Sequence, residues 1–173
     1  MLTLARICVI VAFAWFAHCS LRQVTAQAPE SAVLTLAQAM VLEADWLAAT
    51  DHAAIAHVLM READRKGAPL IVHIKRYVAG FKLSLPRNLV IRGLSMDGCR
   101  PAGWPPHLSW QRHRAWWLAT VARAQKALDG DLQDPCKSEA HHWGGDMDLH
   151  RAARAGWVKV DCGDTVNTFW RRP

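Results

Sequence analysis

The stretch MVLEADWLAATDHAAIAHVLMREADRKG, residues 40–67, decides the fold, because it joins the end of one apolar helix to the whole of a second. Upstream of it, Ser31 is typical of a helix N-cap, and the apolar residues that follow recur at helical spacing. The sequence therefore predicts a helix over residues 31–45. Glu43 falls in its last turn, where a carboxylate stands directly beside the apolar face.

A second helix follows at once. Asp51 is typical of its N-cap, and Gly67 with Pro69 is expected to end it. The segment LIVHIKRYVAGF, residues 70–81, fits either a helix or a strand, because its apolar residues follow a helical face while its β-branched content favours a strand. We favour the helix. The inner face predicted for the second helix consists of Ala54, Ile55, Val58 and Leu59.

The second half of the chain combines one long helix with a small β element. Proline and glycine over residues 83–106 predict a long ordered loop with one short strand at 89–93. A helix is expected over 106–128, ended by Asp129-Gly130. Alternating apolar and polar residues over 156–170 predict a hairpin. The fold class predicted is α+β, mostly helical with a small C-terminal β element.

The N-terminus has the composition of an export signal. Residues 1–28 contain no acidic residue, and the apolar run from 7 to 17 is about half the 20 residues that a membrane span needs. We interpret 1–28 as a signal peptide, preferably cleaved after Ala26, and 29–173 as a single domain. Lipidation at Cys19 is the less favoured alternative. The protein is thus expected in the periplasm or outside the cell.

Cleavage of this leader would leave three cysteines, Cys99, Cys136 and Cys162. An oxidising compartment favours a disulfide, and an odd count leaves one thiol over. Cys136–Cys162 is the pair we favour, although the sequence alone does not choose among the three pairings.

The formal net charge excludes few classes of function. The formal net charge is +6, and it falls to +4 when Arg6 and Arg22 leave with the leader. A modest positive charge suits an anionic polymer outside the cytoplasm, such as the cell wall, as well as it suits nucleic acid.

The nine tryptophans are many for 173 residues. Several lie in loops or at element ends, where they either fill a small core or line a groove and stack on sugar rings. Both interpretations stay open for Trp46, Trp104, Trp143 and Trp157.

Three kinds of chemistry compete. The segment HHWGGDMDLH, residues 141–150, offers metal ligands, but His141 and His142 lack the helical or CxxC spacing of zinc sites. A nucleophilic serine or cysteine is disfavoured, since the chain has no GxSxG elbow and an exported cysteine tends to be oxidised.

The third possibility is general acid catalysis. A carboxyl group partly buried beside apolar residues has a raised pKa and can donate a proton near neutral pH, and Glu43 has such neighbours.

An ordered series of short segments resembles the SleB-like cell wall hydrolases. VLEADW followed by DHAAIAHVLMRE is similar to that family's opening helix pair, in which a Glu-Ala pair ends the first helix. Asp134-Pro135 matches its Asp-Pro turn, and SEAHHWGG is similar to its strand with a His-aromatic pair. The similarity covers about residues 34–170, with 82–106 poorly matched. Departures are the lack of a glycine before Glu43, an acid at position 45, and Gly144-Gly145 in place of the family's usual residues.

The resemblance implies a lysozyme-like, lytic-transglycosylase-type fold and cleavage of the β-1,4 bond between N-acetylmuramic acid and N-acetylglucosamine in peptidoglycan. Glu43 would be the general acid and base, with no cofactor. The expected partner is a glycan strand rather than nucleic acid, the expected state is a monomer, and only the export signal would meet a membrane. The alternatives are a wall-binding or structural protein without turnover, and a metal-dependent hydrolase using His141 and His142. The residues assigned to the groove wall are His142, Trp143, Phe169 and Trp46.

Overall fold

The computed structural model describes residues 31–144 and 149–173, without the side chains of 149–151. The predicted signal peptide, its cleavage site and Cys19 lie outside the described residues. Ser31–Pro173 forms one compact unit. No helix among the described residues is both long and apolar enough to cross a membrane.

The two helices encoded around residues 40–67 form as predicted, apart from one cap. Helix α1 spans Ala32–Glu43 and helix α2 spans Ala49–Arg65. The Ser31 hydroxyl accepts a hydrogen bond from the Leu34 N–H at 3.0 Å, as an N-cap does. The predicted cap role of Asp51 is wrong. Asp51 lies inside the first turn of α2, and its carboxylate is bound by a distant loop instead.

Four further helices of the described chain follow before the first strand. Residues 70–81 are helical, as favoured, although a break at Val78 divides them into α3 and α4. The expected loop over 83–106 is partly wrong, because residues 86–92 form a helix with Pro86 in its first turn, where a missing N–H costs nothing. The predicted strand at 89–93 is therefore absent from this described segment. These helices are α3 Leu70–Tyr77, α4 Ala79–Lys82, α5 Pro86–Arg92 and α6 Trp110–Asp129.

A three-stranded antiparallel sheet stands at the C-terminal end, and it confirms the α+β class. Strand β1 is His142–Gly144, helix α7 is Leu149–Arg154, and strands β2 and β3 are Val158–Val160 and Thr168–Arg171. The order is β1–β3–β2, so the predicted hairpin forms and β3 is also paired with β1. Trp143, Phe169 and Val160 lie side by side across the three strands, and all three are buried.

The core is built around α1. Every residue from 35 to 41 is buried, and the helix contacts α2, α3, α4, α5 and α6. Gly80 lets α4 approach closely, because a Cβ there would lie 2.8 Å from the Cβ of Leu42. This packing fixes the C-terminal end of α1, and hence the position of Glu43.

The favoured disulfide, Cys136–Cys162, is present and ties the loop before β1 to the β2–β3 turn. The free thiol that we expected at the remaining cysteine is absent, because Cys99 is also disulfide-bonded.

Candidate functional site

A cavity of about 470 Å³ opens where the end of α1 meets the sheet. A volume of this size suits a small ligand or one portion of a longer one. Its wall combines one acid, several aromatic rings and a strip of small residues. The described residues that line it are Glu43, Tyr77, Ala79, His142, Trp143, Gly144, Ala152, Ala155, Trp157 and Asn167.

Glu43 is the last residue of α1 and is half-buried on the cavity wall. Its Oε2 accepts a hydrogen bond from the Trp143 indole N–H at 3.3 Å. Its backbone carbonyl accepts a second one, from the Asn167 side-chain amide, also at 3.3 Å. The carboxyl group thus stands beside a large aromatic ring, and its backbone is fixed by a residue from the sheet end of the molecule.

Asp51 and Asn167 form a clamp that holds this arrangement. The buried Asp51 carboxylate accepts hydrogen bonds from the backbone N–H groups of Val166 and Asn167, at 2.9 and 2.8 Å. It also accepts one from the Asn167 side-chain amide at 2.8 Å. The clamp therefore joins the first turn of α2, the loop before β3 and the end of α1 around Glu43.

An aromatic wall stands across α3 and β1. The Tyr77 hydroxyl is hydrogen-bonded to His142 Nδ1, and the Tyr77 ring contacts the Trp143 ring at a centroid distance of 5.3 Å. His142 also packs against Trp157 at 5.3 Å and stacks on Trp170 at 5.8 Å. Such a wall presents π faces together with a few polar groups, the combination that sugar rings bind.

The strand that carries His142 and Trp143 is held from α2. Arg61 forms a salt bridge with Asp134, and its guanidinium donates to the Ala140 carbonyl two residues before β1. The Asp134 carboxylate also accepts from the backbone N–H groups of Cys136 and Ser138, both at 2.9 Å. The Asp134-Pro135 turn therefore positions one wall of the cavity.

The structure brings together three of the five residues predicted for the site: Glu43, His142 and Trp143. Phe169 lies elsewhere. It is 1% exposed and pairs with Trp143 in the sheet, but it is not among the described residues that line this cavity. The structure therefore places Phe169 in the core behind the wall.

Trp46 also lies away from the described cavity lining. It meets Trp104 and His113 edge to face, at centroid distances of 6.1 and 5.5 Å, and so joins a separate aromatic cluster near the start of α6. The four loop tryptophans divide accordingly, since Trp143 and Trp157 line the cavity while Trp46 and Trp104 pack together.

Two cavity residues were missed by the sequence analysis. These are the polar residues Tyr77, which the sequence placed only in the helix favoured over 70–81, and Asn167, which it placed only in the hairpin predicted over 156–170. Nothing local marks Asn167, because its role depends on Asp51, 116 residues away along the chain.

No group of three or more His, Cys, Asp and Glu able to hold a metal ion occurs among the described residues. His142 Nδ1 is engaged by Tyr77, and His141 Nδ1 accepts the backbone N–H of Arg172 at 3.2 Å. Asp146 and Asp148, which the metal interpretation also used, lie outside the described residues.

Three buried titratable side chains, none of them among the described cavity-lining residues, have shifted pKa values. Burial and the nearby charge of Arg123 lower the pKa of His52 to about 4. Burial, with Lys66 adding to it, lowers the pKa of His73, which stacks on Tyr77 at 5.3 Å. Burial raises the pKa of Glu62, but the hydrogen bond from Arg65 and the charge of Arg172 outweigh it, and the pKa lies below its ordinary value.

No protein-family model, no curated sequence and no solved structure matches this chain significantly. The chemistry of the site therefore stands on its own residues. A half-buried carboxyl group, an adjoining indole N–H and an aromatic wall are suited to proton transfer onto a bound polar ligand.

Proposed function

We propose that this protein is a peptidoglycan-cleaving lytic transglycosylase of the SleB-like, lysozyme-like type. It would cut the β-1,4 bond between N-acetylmuramic acid and N-acetylglucosamine. The observation that carries the proposal is the position of Glu43, half-buried on the wall of an aromatic-lined cavity beside the Trp143 indole. The ordered resemblance of the sequence to cell wall hydrolases supports the same reaction.

Glu43 would act first as acid and then as base. Its proton moves to the glycosidic oxygen as the bond from that oxygen to the muramoyl anomeric carbon breaks. The resulting carboxylate takes the proton of the muramoyl 6-hydroxyl, whose oxygen bonds to the anomeric carbon and gives a 1,6-anhydro product. This route needs one carboxyl group, and Glu43 is the acid that the described part of the cavity lining presents.

Neither acid near Glu43 in sequence is suited to be its partner. A hydrolytic glycosidase uses two carboxyl groups about 5 Å or 6.5–9.5 Å apart. Asp45 is exposed, and both oxygens of Asp51 are bound in the clamp with Val166 and Asn167. We therefore favour transglycosylation over hydrolysis.

The other cavity residues would bind and orient the glycan. Trp143 and Trp157 offer aromatic faces to sugar rings, and Trp143 also orients the Glu43 carboxyl group. Tyr77 and His142 form a hydrogen-bonded pair that can meet sugar hydroxyl groups. The Cys136–Cys162 disulfide is compatible with the oxidising compartment in which peptidoglycan is found.

The test is digestion of purified sacculi with the purified protein, followed by mass spectrometry of the soluble products. The proposal expects muropeptides with 1,6-anhydro ends, one water lighter than reducing ends, and activity that persists in EDTA. Co-sedimentation with sacculi without soluble products would identify a wall-binding protein instead. Loss of activity in EDTA, with bound zinc, would identify a metal-dependent hydrolase using His141 and His142.

A further inference from the structure

The side chain of Asn167 has an orientation that the protein itself determines. Its Nδ2 donates to two groups that can only accept, the Glu43 backbone carbonyl at 3.3 Å and Asp51 Oδ1 at 2.8 Å. A reversed amide would place its oxygen against these two oxygens. The amide nitrogen is therefore turned toward the protein, and both of its hydrogens are used.

The remaining polar atom is the amide oxygen. Asn167 is half-buried and lines the cavity, and no hydrogen bond within the described part of the chain reaches its Oδ1. An amide oxygen has two lone pairs and accepts hydrogen bonds only. Asn167, which lines the cavity together with Glu43, therefore keeps one acceptor whose direction is fixed.

We infer that Asn167 Oδ1 accepts the N–H of a 2-acetamido group and makes the cavity selective for N-acetylated sugars. This inference rests on the proposed function and deepens it, because the sugar whose N–H reaches Asn167 lies next to the proton donor. The acetamido group is the one N–H donor that a hexosamine ring carries at its 2-position. A sugar with a hydroxyl group there lacks both this donor and the acetyl group.

The clamp holds the Asn167 side chain in one orientation. Asp51 holds the backbone N–H and the side-chain amide of Asn167 at the same carboxylate oxygen, each at 2.8 Å. Both ends of the residue are thereby fixed, and little freedom is lost when a ligand binds. A preorganised acceptor favours the planar acetamido group, whose N–H has one fixed direction, over a 2-hydroxyl group, whose O–H rotates and can bond elsewhere.

The experiment measures binding, so that it does not depend on turnover. The Glu43→Gln protein is titrated calorimetrically with the β-1,4-linked trimer of N-acetylglucosamine and with that of glucose. The inference expects tighter binding of the acetylated trimer. It also expects Asn167→Ala, added to Glu43→Gln, to reduce that preference about three- to tenfold, the value of one neutral hydrogen bond.

Asn88→Ala is the matched control, because Asn88 also donates through its side-chain amide, to the Leu83 carbonyl, but does not line the cavity. It should leave the preference unchanged. Far-UV circular dichroism checks each fold, and Asn167→Ser replaces the alanine variant if that protein does not fold.

The inference is overturned if the Glu43→Gln protein binds neither trimer or both equally, or if Asn167→Ala weakens both trimers by the same factor. Release of muropeptides by the wild-type protein is measured separately. Its failure alongside a selective loss at Asn167 would retire the proposed reaction while leaving the acetamido contact in place.

Discussion

Each end of helix α2 carries a buried carboxylate that binds the C-terminal part of the chain, but the two carboxylates serve different purposes. In its first turn, buried Asp51 binds the backbone of Val166 and Asn167. In its last turn, Glu62, 1% exposed, binds Arg65 at 2.8 Å and Arg172 at 3.0 Å. Each carboxylate fastens the C-terminal segment to the helix.

Among the described residues, only the carboxylate at the first end binds a residue of the cavity wall. Through Asn167, Asp51 is one residue removed from Glu43, whereas Glu62 and its two arginines are absent from the described cavity lining. A buried carboxylate does not by itself mark a functional site, because Glu62 is as buried as Asp51. What distinguishes the Asp51 end is a polar side chain that it shares with a cavity wall.

The largest effect is expected for Asp51→Ala, which should lower both stability and activity. Three hydrogen-bond donors lose a charged acceptor, so the free energy of unfolding should fall by about 2–4 kcal/mol. Displacement of the Glu43 backbone should reduce release of muropeptides by roughly 10- to 100-fold. Urea unfolding and sacculus digestion measure the two effects. A stable variant with full activity would break the link between the clamp and the site.

A pH effect of similar size is expected beside the clamp. His52 is neutral and buried in the folded chain with a pKa near 4, whereas its ordinary value is 6.5, so the unfolded state takes up the proton first as pH falls. Stability should therefore decrease between pH 6.5 and 4, by about 3 kcal/mol in total. His52→Gln should flatten this part of the stability–pH curve. The same change at the exposed His107 should not.

A smaller effect, on stability alone, is expected at the far end of α2. Glu62→Gln should lower the free energy of unfolding by about 1–2 kcal/mol, discounted because its arginine partners are one-third to one-half exposed. Digestion of sacculi by the folded variant should be unchanged. The control is Glu139→Gln, which removes a surface pair with Arg171 and should cost less than about 0.5 kcal/mol. A loss of activity in Glu62→Gln would erase the contrast between the two ends.

The smallest expected effect is the acid sensitivity that Glu62 confers. Its pKa in the folded chain lies below the ordinary 4.5, so the stabilisation is fully present above that pH and is lost as pH falls through the folded value. In thermal melts, wild type and Glu62→Gln should therefore converge in stability below about pH 4.5. A constant difference down to acid pH would contradict the charge pairing.

Local signals predicted the helical part of the fold well. Ser31 and the apolar spacing after it located α1, and Gly130 located the end of α6, because caps and periodicity act within a few residues. Residues 86–92 were mistaken for loop because their proline was read as a breaker, although proline is favoured in a first helical turn.

The site was predictable only where its residues stand beside a local pattern. Glu43 could be singled out because an acid follows an apolar helix face, and Trp143 because it follows His142 in a segment that resembles the His-aromatic strand of the cell wall hydrolases. Asn167 and Tyr77 could not, since their roles arise from contacts with Asp51 and His142 that only the folded chain creates. The sequence could not place Phe169 in the core rather than on the cavity wall, since its neighbours depend on strand pairing that local sequence does not fix.

The decisive experiment compares the rates at which wild type, Glu43→Gln and Glu62→Gln release soluble muropeptides from sacculi. Glutamine keeps the shape of the side chain at position 43 but has no acidic proton. The Glu43→Gln variant should therefore remain folded and lose at least about 100-fold in rate. Glu62→Gln should digest sacculi at the wild-type rate. Wild-type turnover by the Glu43→Gln protein would contradict the account.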